Sequence, residues 1–172
     1  MDLAQHIRNI PDFPVKGIQF KDVTTLLQDP MAFSASVEAL LDQYEDAEID
    51  AVVGIEARGF IWGAVLAYEL GVAFVPVRKP GKLPAEKARV EYELEYGTNA
   101  VEIHRDAIEP GQKVLVFDDL LATGGTARAT CDLVEELGGE VAGVAFIIEL
   151  TFLDGRAKLS EYNVTTLVEM DE

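Results

Sequence analysis

Residues 116–127, VFDDLLATGGTA, place two carboxylates two residues before a turn of small residues. Asp118 and Asp119 end an apolar run, and the turn consists of Ala122, Thr123, Gly124, Gly125 and Thr126. Its glycines allow close backbone approach, its threonines add hydroxyl donors, and the start of the following helix offers free N–H groups. These features predict a phosphate-binding turn beside two carboxylates that must be solvated, paired or bound.

The turn differs from the common nucleotide motifs. It lacks the lysine and the length of the nucleotide-triphosphate P-loop, and it lacks the spacing of the dinucleotide fingerprint. A ligand with a phosphate at one end and hydroxyls nearby would use both parts of the motif, because carboxylates accept hydrogen bonds from hydroxyls. A sugar phosphate is such a ligand. The alternative is a structural glycine turn at the start of a helix.

Basic residues are few and clustered. The chain of 172 residues has a net charge of -17, which argues against nucleic acid or an anionic membrane surface as a partner. Five of its fourteen basic residues fall in one stretch: Arg78, Lys79, Lys82, Lys87 and Arg89. This cluster favours a small polyanionic ligand, with a solvated basic loop as the alternative.

Several site classes are excluded by composition. Cys131 is the only cysteine, so no internal disulfide forms, and two histidines are too few for a multi-histidine metal site. The first residues do not resemble a signal peptide, and the apolar stretch 59–68 is too short to span a bilayer. We therefore expect a cytoplasmic protein without a membrane segment.

Strands and helices alternate along the chain. Asp29 and Pro30 are typical of a helix start, and this helix is predicted to end near Asp46. The later predicted elements are a strand at 49–57, a helix at 59–71, a strand at 72–79, a strand at 113–120, a helix at 126–139 and strands at 141–150 and 163–170. Because these strands are continuous apolar runs, they predict one open α/β domain over 1–172 with a mostly parallel sheet. Such sheets bind ligands at the carboxyl ends of their strands.

A different period occurs at 88–104. Four apolar or aromatic residues (Val90, Tyr92, Leu94 and Tyr96) alternate with three glutamates (Glu91, Glu93 and Glu95). A period of two predicts an antiparallel ribbon with one wet face. With the basic residues before it, the segment of about 80–104 is predicted to be a flap over the site.

Taken together, these residues resemble the type I phosphoribosyltransferases, whose signature for phosphoribosyl pyrophosphate (PRPP) is similar to VLVFDDLLATGGTA. The segments PDFPVKGIQFKD, GIEARGF, RKPGKLP and YELEYG, in this order, resemble the branch of the family that uses adenine. The resemblance implies an open parallel sheet with a small hood from the N-terminal segment and a flexible β flap. It also implies transfer of the phosphoribosyl group from PRPP to N9 of adenine, giving AMP and pyrophosphate, with Mg²⁺ carried by the substrate and with homodimers.

The resemblance assigns roles to individual residues. Asp118 and Asp119 would bind the ribose hydroxyls, and the turn would hold the 5-phosphate. Pyrophosphate would be contacted by Arg58, Arg78, Lys79 and Lys82. Glu95 would be the acid/base group near N7 of the purine, with Tyr96 beside it on the flap. Adenine would be bound by Gln19, Phe20, Lys21 and Leu150.

Some positions leave alternatives open. Relatives often carry arginine where this chain has Lys21, and residues 85–90 differ from the family pattern. Without the resemblance, Glu95 reads as one more solvated strand carboxylate, and Arg58 as a residue that caps a helix start or pairs with Glu56. At the level of function, the alternatives are another purine base, a PRPP sensor that regulates transcription, and a sugar-phosphate-binding domain without activity. The sensor would need an added DNA-binding module and a basic surface.

Overall fold

The computed structural model describes residues 1–94 and 96–172. The strands are β1 (Arg8–Pro11), β2 (Gln19–Asp22), β3 (Ala51–Ile55), β4 (Ala73–Val77), β5 (Lys87–Glu93), β6 (Thr98–His104), β7 (Lys113–Leu121), β8 (Glu140–Leu150) and β9 (Val164–Met170). The helices are α1 (Thr24–Gln28), α2 (Pro30–Gln43), α3 (Gly59–Leu70) and α4 (Gly125–Glu136).

The central sheet is parallel, as the sequence predicted. Among the described residues its five strands have the order β4-β3-β7-β8-β9. The order reverses between β3 and β7, so the carboxyl ends of these two strands border the crevice in which open α/β sheets bind ligands. The residues that follow β3 and β7 are the two segments that carry the predicted site.

The apolar side chains of β7 divide between two cores, one on each face of the sheet. Val114 and Val116 belong to a cluster that includes α4, whereas Leu115 and Phe117 belong to a cluster that includes α2 and α3. All four side chains are fully buried. Burying one such side chain stabilises the fold by about 1.5–3 kcal/mol, so the continuous apolar run positions β7 firmly between the helices.

Local signals set most helix ends. The Asp29 carboxylate accepts hydrogen bonds from the N–H groups of Met31 and Ala32 and so caps α2. Gly71 ends α3 in the left-handed conformation at φ 69°. These predictions are confirmed, but α2 ends at Gln43 rather than near Asp46.

The predicted ribbon is also confirmed. Strands β5 and β6 pair antiparallel, and Ala88, Val90 and Tyr92 face inward while the residues between them are exposed. The ribbon joins the sheet edge through paired backbone hydrogen bonds between Arg78 and Glu102, at 3.0 and 2.8 Å. This β5–β6 ribbon packs on α4, over the carboxyl end of the sheet.

A second, smaller hairpin lies near the N-terminus. Strands β1 and β2 pair antiparallel, and the Arg8 guanidinium donates two hydrogen bonds to the Asp22 carboxylate. This hairpin carries the predicted adenine-binding residues 19–21. In the described part of the chain, none of the helices has both the length and the apolar character needed to span a bilayer.

Candidate active site

The pleat of β7 sends the two adjacent aspartates to different places. Successive side chains of a strand point to opposite faces. Asp118 follows Val116 toward the α4 side, whereas Asp119 follows Phe117 toward the α3 side. The two carboxylates, both predicted to need partners, therefore lie on opposite faces of the sheet and have different neighbours.

Asp119 is paired with Arg58. It is 4% exposed, and its Oδ2 accepts a hydrogen bond of 2.5 Å from the Arg58 Nε. The Arg58 guanidinium also lies over the ring of Phe20, 5.9 Å from the ring centroid. Arg58 thus connects β7 to the hairpin that carries the predicted adenine-binding residues. The alternative pairing of Arg58 with Glu56 is wrong, because Glu56 bonds Arg78 instead.

Among the described residues, Asp118 forms no ion pair comparable to that of Asp119. Its Oδ1 accepts a hydrogen bond of 2.9 Å from the backbone N–H of Asp119. Burial and the adjacent Asp119 charge raise the pKa of Asp118 well above its ordinary value. A positive charge placed near this carboxyl would favour its ionised form, so the geometry is suited to a ligand that carries or develops positive charge.

The predicted phosphate turn connects β7 to α4. Gly124 stands at the N-cap of α4 with φ 81°, in the left-handed region that L side chains rarely adopt. A Cβ there would also collide with the backbone carbonyl of Gly155, from the segment that follows β8. Glycine is therefore required twice at this position, by conformation and by space. The N-terminus of α4, with its free N–H groups, opens onto the turn.

Two adjoining cavities extend from this turn. The first is lined by the turn itself together with Asp118, and the second by the basic residues Arg78 and Lys79. Asp118 and Thr126 line both cavities. These shared residues place the predicted phosphate turn, a carboxylate and a pair of cations in series, and we call this series the path.

Glu56 holds the cationic end of this path in place. Its carboxylate accepts hydrogen bonds from the Arg78 guanidinium at 3.1 Å and from the Lys79 backbone N–H at 2.8 Å. Burial acts to raise the pKa of Glu56, but these hydrogen bonds and charges outweigh it, so the pKa lies below its ordinary value. The Arg78 Nε is buried without a hydrogen-bond partner among the described residues. The Glu56–Ala57 peptide bond beside it is cis.

The other residues predicted for the site differ in exposure and in their contacts. Lys82 and Tyr96 are exposed and do not line either cavity as far as residues 1–94 and 96–172 describe them. Gln19 accepts a hydrogen bond from Asn9, Lys21 is half-buried, and Leu150 is buried at the end of β8. Glu95 lies outside the described residues. Trp62 is fully buried and donates a hydrogen bond to the Ser36 hydroxyl, so it packs in the core.

Sequence reasoning missed an ion pair beneath the turn. The Arg156 guanidinium donates to both carboxylate oxygens of Glu149, which is 5% exposed. This pair anchors the segment in which Gly155 packs against the Ala122 carbonyl and Gly124. A glutamate in the otherwise apolar run 141–150 was the available signal, because a buried carboxylate needs a partner.

Removing the Glu149 charge should alter acid stability. The hydrogen bond from Arg156 lowers the pKa of Glu149 below its ordinary value of 4.5. The stabilisation is therefore present above the unfolded-state pKa and is lost as pH falls through the lowered, folded-state pKa. We expect Glu149→Gln to reduce the free energy of unfolding at neutral pH, and the deficit to shrink at about pH 3, in urea titrations at both pH values.

The control for this experiment is an exposed pair of the same kind. Glu48 accepts a hydrogen bond of 2.6 Å from Lys113, but its side chain is 84% exposed. Exposed pairs contribute little, so Glu48→Gln should leave the free energy of unfolding nearly unchanged at both pH values. Equal behaviour of the two variants would contradict an anchoring role for Glu149.

The same residues bear on whether the site could hold a metal ion. Across the described ranges, no group of three or more histidine, cysteine, aspartate or glutamate side chains is arranged to hold a metal ion. Asp118 nevertheless offers a carboxyl on the wall of the cavity, and a nearby cation would favour its ionised form. This arrangement fits a cation that arrives with a ligand and keeps most of its own waters.

Comparisons with known proteins identify the family of this chain. A family model described as "Phosphoribosyl transferase domain" matches residues 22–169. The chain is 62% identical to adenine phosphoribosyltransferase of Chloroflexus aurantiacus, over 98% of this chain and 97% of that protein. Among solved structures it is similar to adenine phosphoribosyltransferase from Thermoanaerobacter pseudethanolicus, with 56% identity, a TM-score of 0.95 and 98% of both chains covered. It is also similar to the Saccharomyces cerevisiae enzyme complexed with an iminoaltritol bisphosphate and adenine, with 42% identity, a TM-score of 0.91 and 96% of both chains covered.

Proposed function

Because the chain belongs to the phosphoribosyltransferase family, in its adenine branch, we propose that it transfers the 5-phosphoribosyl group of PRPP to N9 of adenine. The products are AMP and pyrophosphate, and the reaction is a step of purine salvage. The observation that carries the proposal is the path that Asp118 and Thr126 share, from the phosphate turn to Arg78 and Lys79. Its order of groups matches the order of phosphate, ribose and pyrophosphate in PRPP.

In this proposal the α4 end of the path holds the 5-phosphate. The turn contributes backbone N–H groups, and Thr123 and Thr126 contribute hydroxyls. Asp118 borders the next part of the path and accepts hydrogen bonds from the ribose hydroxyls. Asp119 accepts a hydrogen bond from Arg58, so it would both bind the ribose and orient the Arg58 guanidinium.

The cations act on the leaving group. Breaking the anomeric C–O bond builds negative charge on pyrophosphate and positive charge on the ribose. Arg78 and Lys79 line the far end of the path. Arg58 does not line either described cavity, and in this proposal its terminal N–H groups would reach the anion while its Nε stays bonded to Asp119. Lys82 would join them from the loop before the ribbon. Most of the catalytic effect is then positioning and electrostatic stabilisation.

The two aspartates serve the sugar. Their negative charge lies where positive charge develops on the ribose, which stabilises an oxocarbenium-like transition state. Burial and the Asp119 charge raise the pKa of Asp118, so this role requires positive charge beside it, on Mg²⁺ arriving with PRPP or on the developing ribose cation, to favour the ionised carboxylate. The neighbouring carboxylates in the motif are therefore part of the catalytic electrostatics as well as ligands for hydroxyls.

We propose that Mg²⁺ enters with PRPP and that Asp118 would help to hold it through bound water. When bound, the ion neutralises charge on the departing pyrophosphate. Glu95 would exchange a proton with N7 of adenine, and Tyr96 would lie beside it on the ribbon. Adenine itself would contact backbone groups of Gln19, Phe20 and Lys21 and the side chain of Leu150.

Homodimer formation belongs to the same proposal. Helix α3 exposes Ile61 at 40% and Tyr68 at 82%, two apolar residues on its solvent side. A second copy of the chain would cover them, and exposed apolar surface of this kind is typical of protein contacts. Analytical ultracentrifugation would give twice the mass of one chain, and a monomer at all concentrations would contradict the proposal.

The function is tested by supplying PRPP and Mg²⁺ with adenine, hypoxanthine, guanine or xanthine and following nucleotide formation. We expect AMP from adenine, no comparable product from the other bases, and no turnover after chelation of the metal. A different preferred base would overturn the adenine assignment but keep the PRPP site. No turnover with any base, despite PRPP binding, would instead favour a binding or sensor protein.

A further inference from the structure

Tyr92 links the ribbon to the phosphate turn. Its hydroxyl lies 2.8 Å from Thr126 Oγ1, within hydrogen-bond distance. Its ring lies against Gly125, where a Cβ would come within 3.1 Å of the Tyr92 Cδ2. Tyr92 also lines the cavity that contains Asp118. It therefore contacts the turn through both its ring and its hydroxyl.

The direction of this hydrogen bond follows from the chemistry of a hydroxyl group. A threonine hydroxyl has one proton and two acceptor lone pairs, and a phosphate oxygen at neutral pH accepts hydrogen bonds. If Thr126 donates its proton to the 5-phosphate, it can only accept from Tyr92. The phenol hydroxyl of Tyr92 must then be the donor.

We propose that Tyr92 is a positioning residue for PRPP: its hydroxyl donates to Thr126 Oγ1 and turns the Thr126 proton toward the 5-phosphate. The inference rests on the proposed function, because it needs a phosphate in the turn. It adds a residue that the sequence pattern marked only as an inward-facing position of a ribbon.

The position of Tyr92 in the ribbon extends this role. Tyr92 pairs with Asn99 across the ribbon and precedes Glu95 by three positions. A phosphate that fixes Thr126 thereby also fixes one point of the strand that leads to Glu95. A phosphate bound in the turn then also helps to hold the ribbon in place over the site.

The test is a double-mutant cycle on the hydroxyl pair. We expect Tyr92→Phe to raise KM for PRPP about three- to tenfold, the effect of one lost hydrogen bond. KM for adenine and kcat should stay within about twofold, because the chemical step uses other groups. In the Thr126→Val background, which has no hydroxyl to orient, the same Tyr92→Phe change should have no further effect on PRPP binding.

A second tyrosine–threonine pair provides the control. Tyr44, which follows α2, donates a hydrogen bond of 3.1 Å to Thr165 Oγ1 on β9, away from the phosphate turn. Tyr44→Phe should lower Tm without changing KM for PRPP. Isothermal titration with PRPP alone then separates binding from turnover for each variant.

The outcomes distinguish this inference from the function on which it rests. Wild-type protein that does not bind PRPP would overturn both. Wild-type binding with an unchanged or lower dissociation constant in Tyr92→Phe would overturn only the positioning role, since a lower constant means that Tyr92 competes with phosphate for Thr126. An equal loss in the Thr126→Val background would show a purely structural contribution and would also overturn it.

Discussion

Replacing Glu95 by alanine is expected to lower kcat about a hundredfold while KM for PRPP changes little, because a positioned acid/base group contributes about 10²–10⁴-fold to a proton transfer. The assignment comes from the resemblance of YELEYG to the family pattern, and it predicts an effect on the chemical step with adenine. Steady-state kinetics with PRPP and adenine varied separately would measure it. Glu95→Gln should lose nearly as much, since glutamine keeps hydrogen-bonding atoms but cannot exchange a proton.

Glu93 is the matched control for this experiment. It is the last residue of β5, two positions before Glu95 in the sequence; its side chain is exposed, and it pairs with Thr98 on β6. Glu93→Ala removes the same group from the wet face and should leave kcat within about twofold. If the two alanine variants behave alike, Glu95 is one more solvated carboxylate and the acid/base assignment is wrong.

Replacing Gly124 by alanine should abolish PRPP binding or prevent the turn from folding. The positive φ alone costs roughly 1–2 kcal/mol for a residue with a Cβ. The collision with the Gly155 carbonyl adds to this cost, because that atom belongs to backbone anchored by the Glu149–Arg156 pair. We expect KM for PRPP to rise by more than about a hundredfold, together with a lower Tm. Turnover assays and thermal unfolding would measure the two effects.

Two other glycines separate the causes. Gly111 has φ 87°, and its Cβ would meet no described atom within 4 Å, so Gly111→Ala carries the conformational cost alone. It should lower Tm and leave KM for PRPP unchanged. Gly125→Ala would meet the flexible Tyr92 side chain at 3.1 Å and should give an intermediate loss of PRPP affinity. A Gly124→Ala variant no worse than Gly111→Ala would contradict the collision.

Much of the fold could be predicted from local patterns. The buried strands are continuous apolar runs, Asp29 caps α2, Gly71 ends α3, and the ribbon has a period of two. These signals depend on residues that lie close together in the chain. For the same reason the phosphate turn was recognisable, since its glycines, hydroxyls and helix start are adjacent.

Part of the candidate site could not be predicted in this way. Arg58 and Asp119 are 61 positions apart, and Tyr92 and Thr126 are 34 apart, and neither pairing has a local signal. The alternation of β7 indicated that Asp118 and Asp119 point to opposite sides. It did not indicate which carboxylate would meet Arg58 and which would line the cavity.

The sequence by itself therefore determined the fold class, and it predicted the phosphate turn with two carboxylates before it, because apolar period and turn chemistry are encoded within a few residues. Only the tertiary structure decided the partners of each charged or hydroxyl group: Arg58 for Asp119, Tyr92 for Thr126 and Arg156 for Glu149. The physical reason is that a buried polar group takes its partner from whichever distant segment the packing of the sheet and helices brings to it.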